Sequence, residues 1–169
     1  MEHPVPVLFL DIDGTVRECK DDALGRFVNG PDDVRVFPEA VERMRAWKRD
    51  DGRIIGVSNQ GGIALGHVSE ADVVDAMAET YRQCEKLFDR IVWCHHHPAA
   101  EDPEWARCWC RKPKPGLAIE GVLSLARDHE GEIYPPHMGL FVGDRDEDQA
   151  CAAALDVDFV WASDWRNGA

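Results

Sequence analysis

Val7-Leu8-Phe9-Leu10-Asp11-Ile12-Asp13-Gly14-Thr15 reads as an apolar strand that ends on two carboxylates, a glycine and a hydroxyl. The apolar run asks for burial. Asp11 and Asp13 alternate with Ile12 and project at the strand's carboxyl edge, where open α/β sheets place their ligand sites. Carboxylates this close repel one another unless a cation lies between them, and a hard divalent ion such as Mg²⁺ suits such oxygen donors. Gly14 comes too early for the invariant glycine of an EF-hand loop.

Working outward, Val16 to Phe37 is a polar, glycine-containing connection expected to form a small flap over this strand end. Phe37, Ala40, Val41, Met44 and Trp47 recur at helical spacing, with Pro38 near the start and Gly52 past the end. Arg53 to Ser58 is short and β-branched, predicting a strand that delivers Ser58-Asn59-Gln60. Ser69 and Asp72 have the spacing of a capping box, ahead of a long helix with a buried stripe of Val73, Met77, Tyr81, Cys84 and Leu87/Phe88. Ile91-Val92-Trp93 predicts a third strand, and a loop rich in Cys, His and Pro runs from there to Pro115. Leu117 to Ala126 predicts another helix. Gly139 to Val142 predicts a strand ending on Gly143-Asp144, followed by an acidic helix start, and Phe159-Val160-Trp161 a last strand. Strands alternating with helices imply an α/β fold with a central parallel sheet.

The 169 residues are expected to form one domain, 1–169, with a single core. No apolar run approaches the roughly 20 residues that span a bilayer. Met1-Glu2-His3-Pro4 lacks a basic, then apolar signal segment, so a cytoplasmic location is expected, with no membrane partner. Six cysteines in such a chain argue for reduced thiols or metal ligation rather than a disulfide scaffold. The net charge of −13 repels polyanions on average and gives no general support for nucleic-acid binding. A small phosphorylated metabolite and a monomeric enzyme are expected.

Three polar sequences converge on the carboxyl edge of the predicted sheet: Asp11 to Thr15, Ser58-Asn59-Gln60, and Gly143-Asp144-Arg145-Asp146-Glu147-Asp148. Arg111-Lys112-Pro113 supplies cations between them. Phosphoryl transfer from a monoester needs a nucleophile, an acid for the leaving alcohol and fixed positive charge around the equatorial oxygens. Asp11 is placed to attack phosphorus, and Asp13 to protonate the leaving oxygen and then deprotonate water. Asp144 would join Asp11 and the Asp13 carbonyl on Mg²⁺, with Asp148 supporting the metal shell. Lys112 and the Ser58 hydroxyl would bind phosphate, while Arg111, Asn59, Gln60 and Arg145 would read the substrate.

These four ordered motifs resemble those of the haloacid dehalogenase (HAD) superfamily of phosphohydrolases, over almost the whole chain. The resemblance implies a Rossmann-like three-layer sandwich, Mg²⁺ and phosphomonoester hydrolysis through an aspartyl-phosphate. No large cap domain fits between the motifs, so the flap and the Cys/His loop are expected to shape the pocket.

Cys94-His95-His96-His97-Pro98 and Cys108-Trp109-Cys110 flank a loop short enough to bring them around one ion. Three thiolates and one imidazole make a closed tetrahedral Zn²⁺ site with no place for a catalytic water, so the ion would order the loop at about 94–115 and aim Arg111 and Lys112. The residues alone leave His95, His96 and His97 open. The loop resembles that of the zinc-containing heptose 1,7-bisphosphate 7-phosphatase and histidinol-phosphate phosphatase group, and that match selects Cys94, His96, Cys108 and Cys110. The chain departs from the heptose-phosphatase pattern at Thr15-Val16-Arg17 and in a longer segment through Phe27-Val28-Asn29-Gly30-Pro31, which touches sugar specificity rather than chemistry. Cys19, Cys84 and Cys151 are expected to pack as small apolar residues, Trp47, Trp161 and Trp165 to pack in the core or against helices, and His67 and His137 to lie on the surface. The alternatives are a polynucleotide 3′-phosphatase, a histidinol-phosphate phosphatase and a non-enzymatic phosphate-binding protein.

Overall fold

The strand and helix patterns resolve into an α/β chain in a computed structural model that describes residues 2–21 and 27–168. In chain order, the first half runs β1 (His3–Pro4), β2 (Val7–Leu10), β3 (Arg17–Cys19), β4 (Val34–Val36), α1 (Pro38–Arg49), β5 (Arg53–Asn59) and α2 (Glu70–Gln83). The second half runs β6 (Arg90–Cys94), α3 (Pro103–Ala106), α4 (Gly116–Asp128), β7 (Glu132–Ile133), β8 (Leu140–Gly143), α5 (Asp146–Leu155), β9 (Asp158–Trp161) and α6 (Ala162–Arg166). The central sheet has the order β6-β5-β2-β8-β9, and every pairing in it is parallel. β2 therefore occupies the middle, with β5 and β8 carrying the other two polar strand ends on either side of it.

The alternation of β2 splits the core into two layers. Leu8 and Leu10 pack with Val41 and Met44 of α1, Val73 and Met77 of α2, and Trp165 of α6. Val7 and Phe9 face the other way, onto Leu117 and Leu125 of α4 and Cys151 and Ala152 of α5. A strand buried on both faces reads as a continuous apolar run, as Val7 to Leu10 does. Each fully buried aliphatic side chain contributes roughly 1.5–3 kcal/mol before entropy is counted. Cys19, Cys84 and Cys151 are buried thiols, as the sequence predicts.

Two local expectations are corrected. The segment after Val16 is more regular than an irregular flap, because β3 and β4 form an antiparallel ribbon with Arg17 opposite Val36. Residues 22–26 of that predicted flap lie outside the described residues. The long helix stops at Gln83, and Glu85 and Lys86 turn the backbone left-handed, with φ of 54° and 61°. Its buried stripe is Val73, Ala76, Met77 and Thr80, while Tyr81 is exposed. Thr80 replaces Tyr81 because its hydroxyl has a partner inside, donating to the Ala76 carbonyl oxygen at 2.7 Å. Among the described residues, no helix is long and apolar enough to cross a membrane.

Candidate active site

Asp11 begins where β2 ends, and its amide still donates to the Val142 carbonyl on β8 at 2.9 Å. The carboxylate is buried, and Thr15 Oγ1 donates to Asp11 Oδ2 at 3.1 Å. From the other side Lys112 Nζ donates to Asp11 Oδ1 at 2.7 Å and to the Val57 carbonyl at 2.8 Å. The same ammonium meets Asp148 Oδ1 at 2.7 Å. Burial pushes the Asp11 carboxyl up to about 7; the Lys112 charge opposes this, and the Asp148 and Asp13 charges add to it. For Lys112, burial favours the neutral amine, but the Asp11 and Asp148 charges outweigh it and hold the ammonium above its usual range.

Asp144 reaches the same place because residue 14 is glycine. Gly14 has φ +88°, and a Cβ there would lie 2.1 Å from Asp144 Oδ2. Desolvation also raises the Asp144 carboxyl. Asp148 is held from behind, where Oδ2 accepts from the backbone N–H groups of Asp144 and Arg145 at 3.2 and 3.1 Å. One oxygen each from Asp11, Asp144 and Asp148 falls within 4.8 Å of the others. An all-carboxylate donor set in which burial raises both the Asp11 and the Asp144 carboxyl fits a hard divalent cation.

The Asp13 side chain stands outside that cluster. Arg17 Nε donates to its Oδ1 at 2.8 Å, and Gln60 Nε2 donates to its Oδ2 at 2.7 Å. Gln60 Nε2 also donates to Ser58 Oγ at 2.8 Å, so Ser58, Gln60 and Asp13 form one chain of contacts. Asn59, expected to read substrate, has its amide committed to the backbone of Lys112. Its Nδ2 donates to the Lys112 carbonyl at 3.1 Å and its Oδ1 accepts from the Lys112 N–H at 3.0 Å. That reciprocal pair ties the end of β5 to the loop that carries the ammonium.

These groups open into a cavity of about 390 Å³. Asp11, Asp13, Ser58 and Lys112 stand among its lining residues, with Arg111 and Arg145 adding cationic groups and Phe27, Leu65 and Val68 apolar wall. His67 and His97 line it too, and nothing in their local sequence marked them for it. Burial, then the Arg111 charge, lowers the His97 imidazolium's pKa. Arg111 is itself oriented by donating Nη1 to the His96 carbonyl at 3.0 Å.

The Cys/His loop closes as its spacing demands. Cys94 Sγ lies 3.2 Å from Cys110 Sγ and 3.7 Å from Cys108 Sγ, and His96 Nδ1 lies 3.5 Å from the sulfurs of Cys94 and Cys110. These separations suit four ligands around a tetrahedral ion with Zn–S of about 2.3 Å. Of the three histidines it is His96 that enters the cluster. The His95 ring packs between those of His96 and Trp105, and His97 Nδ1 accepts from the Ala99 N–H.

Compared with known proteins, the chain is 32% identical to the D-glycero-D-manno-heptose-1,7-bisphosphate 7-phosphatase of Chlorobaculum tepidum over 149 residues, covering 86% of this chain and 72% of that one. It is also 32% identical to the D-glycero-beta-D-manno-heptose-1,7-bisphosphate 7-phosphatase of Salmonella typhi over 161 residues, covering 93% and 79%. The chain belongs to the heptose-1,7-bisphosphate 7-phosphatase family. No family model matches it. Among solved structures, a HAD-like phosphatase from Mesorhizobium loti superposes with a TM-score of 0.77 at 24% identity, over 93% of this chain and 72% of that one. The D,D-heptose 1,7-bisphosphate phosphatase of B. bronchiseptica, crystallised with magnesium and phosphate, superposes at 0.70 and 24% identity, over 92% and 79%. This heptose-phosphatase family member is thus a phosphatase with the HAD-like α/β fold, as the ordered motifs predict.

Proposed function

We propose that the chain is a Mg²⁺-dependent phosphomonoester hydrolase that works through an aspartyl-phosphate on Asp11, and that its substrate is a small sugar phosphate such as a heptose bisphosphate. The observation that carries this reading is the buried contact of Lys112 Nζ with Asp11 Oδ1 at 2.7 Å on the wall of a cavity that Asp13 also lines. A carboxylate needs a lowered burden of negative charge before it can approach a phosphate dianion, and a compact ammonium beside it supplies that.

In the first step an Asp11 oxygen attacks phosphorus while the bond to the leaving alcohol breaks, and Asp13 gives its proton to the departing oxygen. In the second, water attacks the phosphorus of the aspartyl-phosphate and Asp13 takes its proton back. The bond to Asp11 breaks, and the carboxylate is restored as inorganic phosphate leaves. Lys112 and the Ser58 hydroxyl hold the phosphoryl oxygens, and Gln60 keeps Ser58 and Asp13 in one frame. Asp11, Asp144 and the Asp13 carbonyl would hold Mg²⁺, with Asp148 supporting its shell, and the ion would supply charge neutralisation between carboxylate and phosphate.

Zn²⁺ on Cys94, His96, Cys108 and Cys110 has a structural role in this reading. Its loop carries Arg111 by two contacts, the Arg111 N–H to Cys108 Sγ at 3.3 Å and Nη1 to the His96 carbonyl. The cavity volume lies in the range that small-molecule sites occupy, and the named relatives act on a heptose bisphosphate.

Phosphate release with Mg²⁺ across heptose 1,7-bisphosphate, histidinol phosphate, other sugar phosphates and a 3′-phosphorylated oligonucleotide tests the proposal, with Asp11→Asn as control. Turnover of one small metabolite, absent in the variant, is expected. Preference for the oligonucleotide would replace the sugar-phosphate reading with an end-processing one, and inactivity throughout would leave a phosphate-binding protein.

A further inference from the structure

Among the described residues Arg17 is one of the largest fully buried side chains, 1% exposed, and the reaction proposed above assigns it no role. Removing a guanidinium from water costs several kcal/mol unless its donors are satisfied and its charge is met. Here the fork has two edges with different partners. Nε and Nη2 face Asp13, donating to Oδ1 at 2.8 Å and Oδ2 at 3.3 Å. Nη1 points away, into α2, where it donates to Thr80 Oγ1 at 2.8 Å and to the Ala76 carbonyl at 3.2 Å.

The base of the side chain is fixed as well. The Arg17 N–H donates to the Ile12 carbonyl and its own carbonyl accepts from Gly14 N–H, so the backbone on which the fork stands is part of the loop that carries Asp13. β3 then pairs it with Val36. The Asp13 carboxyl is the open end of this array, about a third exposed and lining the cavity, with Gln60 closing its other side. A planar fork gripping both oxygens sets the plane of a carboxylate, which a single ammonium does not do.

We propose that Arg17 is a positioning residue for the reaction: anchored on Thr80 and the Ala76 carbonyl of α2, it sets the plane of the Asp13 carboxyl so that the same group serves the leaving oxygen and then the water. This rests on the phosphatase reading above. A buried arginine that merely tied the ribbon to α2 would make the α2 contacts and would not need both oxygens of a carboxyl that faces the cavity. Proton transfer demands a fixed geometry, and a displacement of about 1 Å costs on the order of 10²-fold in rate.

The leaving group separates this role from a structural one. Heptose 1,7-bisphosphate releases an alkoxide that needs a proton, whereas p-nitrophenyl phosphate releases a nitrophenolate that leaves without one. Arg17→Lys keeps the charge and loses the fork. It is expected to lower kcat/KM for the heptose substrate on the order of 10²-fold while p-nitrophenyl phosphate stays within about threefold. A burst of nitrophenolate is expected too, since water attack on the phosphoenzyme still needs Asp13. Thr80→Val, which leaves Arg17 and removes its anchor, should give the same pattern in weaker form with melting unchanged within a few degrees. Equal losses on both substrates, or no loss on either, overturn the positioning role alone. Inactivity of the unsubstituted chain toward heptose 1,7-bisphosphate overturns the reading on which the role rests, and the role with it.

Discussion

Lys112 Nζ stands 2.7 Å from Asp11 Oδ1 across 101 positions of sequence. The contact is made because β5 lies between β2 and β6 in the sheet, and Asn59 at the end of β5 holds the Lys112 backbone through both ends of its amide. One ammonium thus serves two buried carboxylates, Asp11 and Asp148, with Asp144 close by. The excess of negative charge is what a divalent cation would neutralise.

Asp11→Asn removes the attacking oxygen's charge without changing its volume. Turnover is expected to fall on the order of 10³-fold or more, while the fold persists because Lys112 keeps Asp148 and the Val57 carbonyl. Phosphate release and circular dichroism on the same preparation check this. Activity within a few-fold of the unsubstituted chain would reject Asp11 as nucleophile.

Gly14→Ala places a methyl group where Asp144 Oδ2 now lies, on a backbone with φ +88°. The strain amounts to about 1–3 kcal/mol, and Asp144 must withdraw. A higher Mg²⁺ concentration for half-maximal activity is expected, together with a lowered melting temperature. A Mg²⁺ titration that superposes on that of the unsubstituted chain would show that Asp144 does not need the space.

Cys108→Ser replaces a thiolate in the cluster with Cys94, Cys110 and His96. Loss of about one zinc per chain is expected, with a clear fall in melting temperature and a weakened hold on Arg111, whose N–H now meets that sulfur. Metal analysis and a thermal scan decide it, and unchanged metal content with unchanged melting would sink the zinc assignment.

Acid should loosen the opposite edge of the sheet. The Arg53 guanidinium, gripping both oxygens of Glu132, holds that carboxyl below its usual 4.5, with the Tyr134 hydroxyl assisting. A depressed carboxyl stabilises the fold above its unfolded value and loses that contribution as pH falls below about 4.5 through the folded value. The pair is one-fifth exposed, so the contribution is of order 1 kcal/mol. Glu132→Gln is expected to lower stability at pH 7 by that amount and to flatten the acid limb of melting temperature against pH; an unaltered limb would place the acid sensitivity elsewhere.

Much of this was legible along the chain, because periodicity and strand-end chemistry are local. The apolar run Val7 to Leu10 reads as a buried strand, and the carboxylates follow directly at its end. Ser69 caps α2 through the Asp72 N–H, as the spacing predicts. The misses came where a side chain's partner is remote. The predicted stripe of α2 held Tyr81 and not Thr80, yet Thr80 is buried because Arg17 and the Ala76 carbonyl satisfy its hydroxyl. Asn59 lines the cavity, but its hold on the Lys112 backbone, 53 positions on, is marked by no local pattern.

The amino-acid sequence by itself determined which elements form and which chemistry each strand end offers, since helix and strand periods, caps and the Cys/His spacing depend on neighbours along the chain. Only the tertiary structure decided which of those groups meet. The order β6-β5-β2-β8-β9 places the ends of β5 and β8 beside that of β2. The fold of α2 against the ribbon puts Thr80 under Arg17 and, through it, Arg17 onto Asp13. Such contacts span tens of residues, and no local pattern encodes them, because their energies arise from burial and pairing that exist only once the layers have packed.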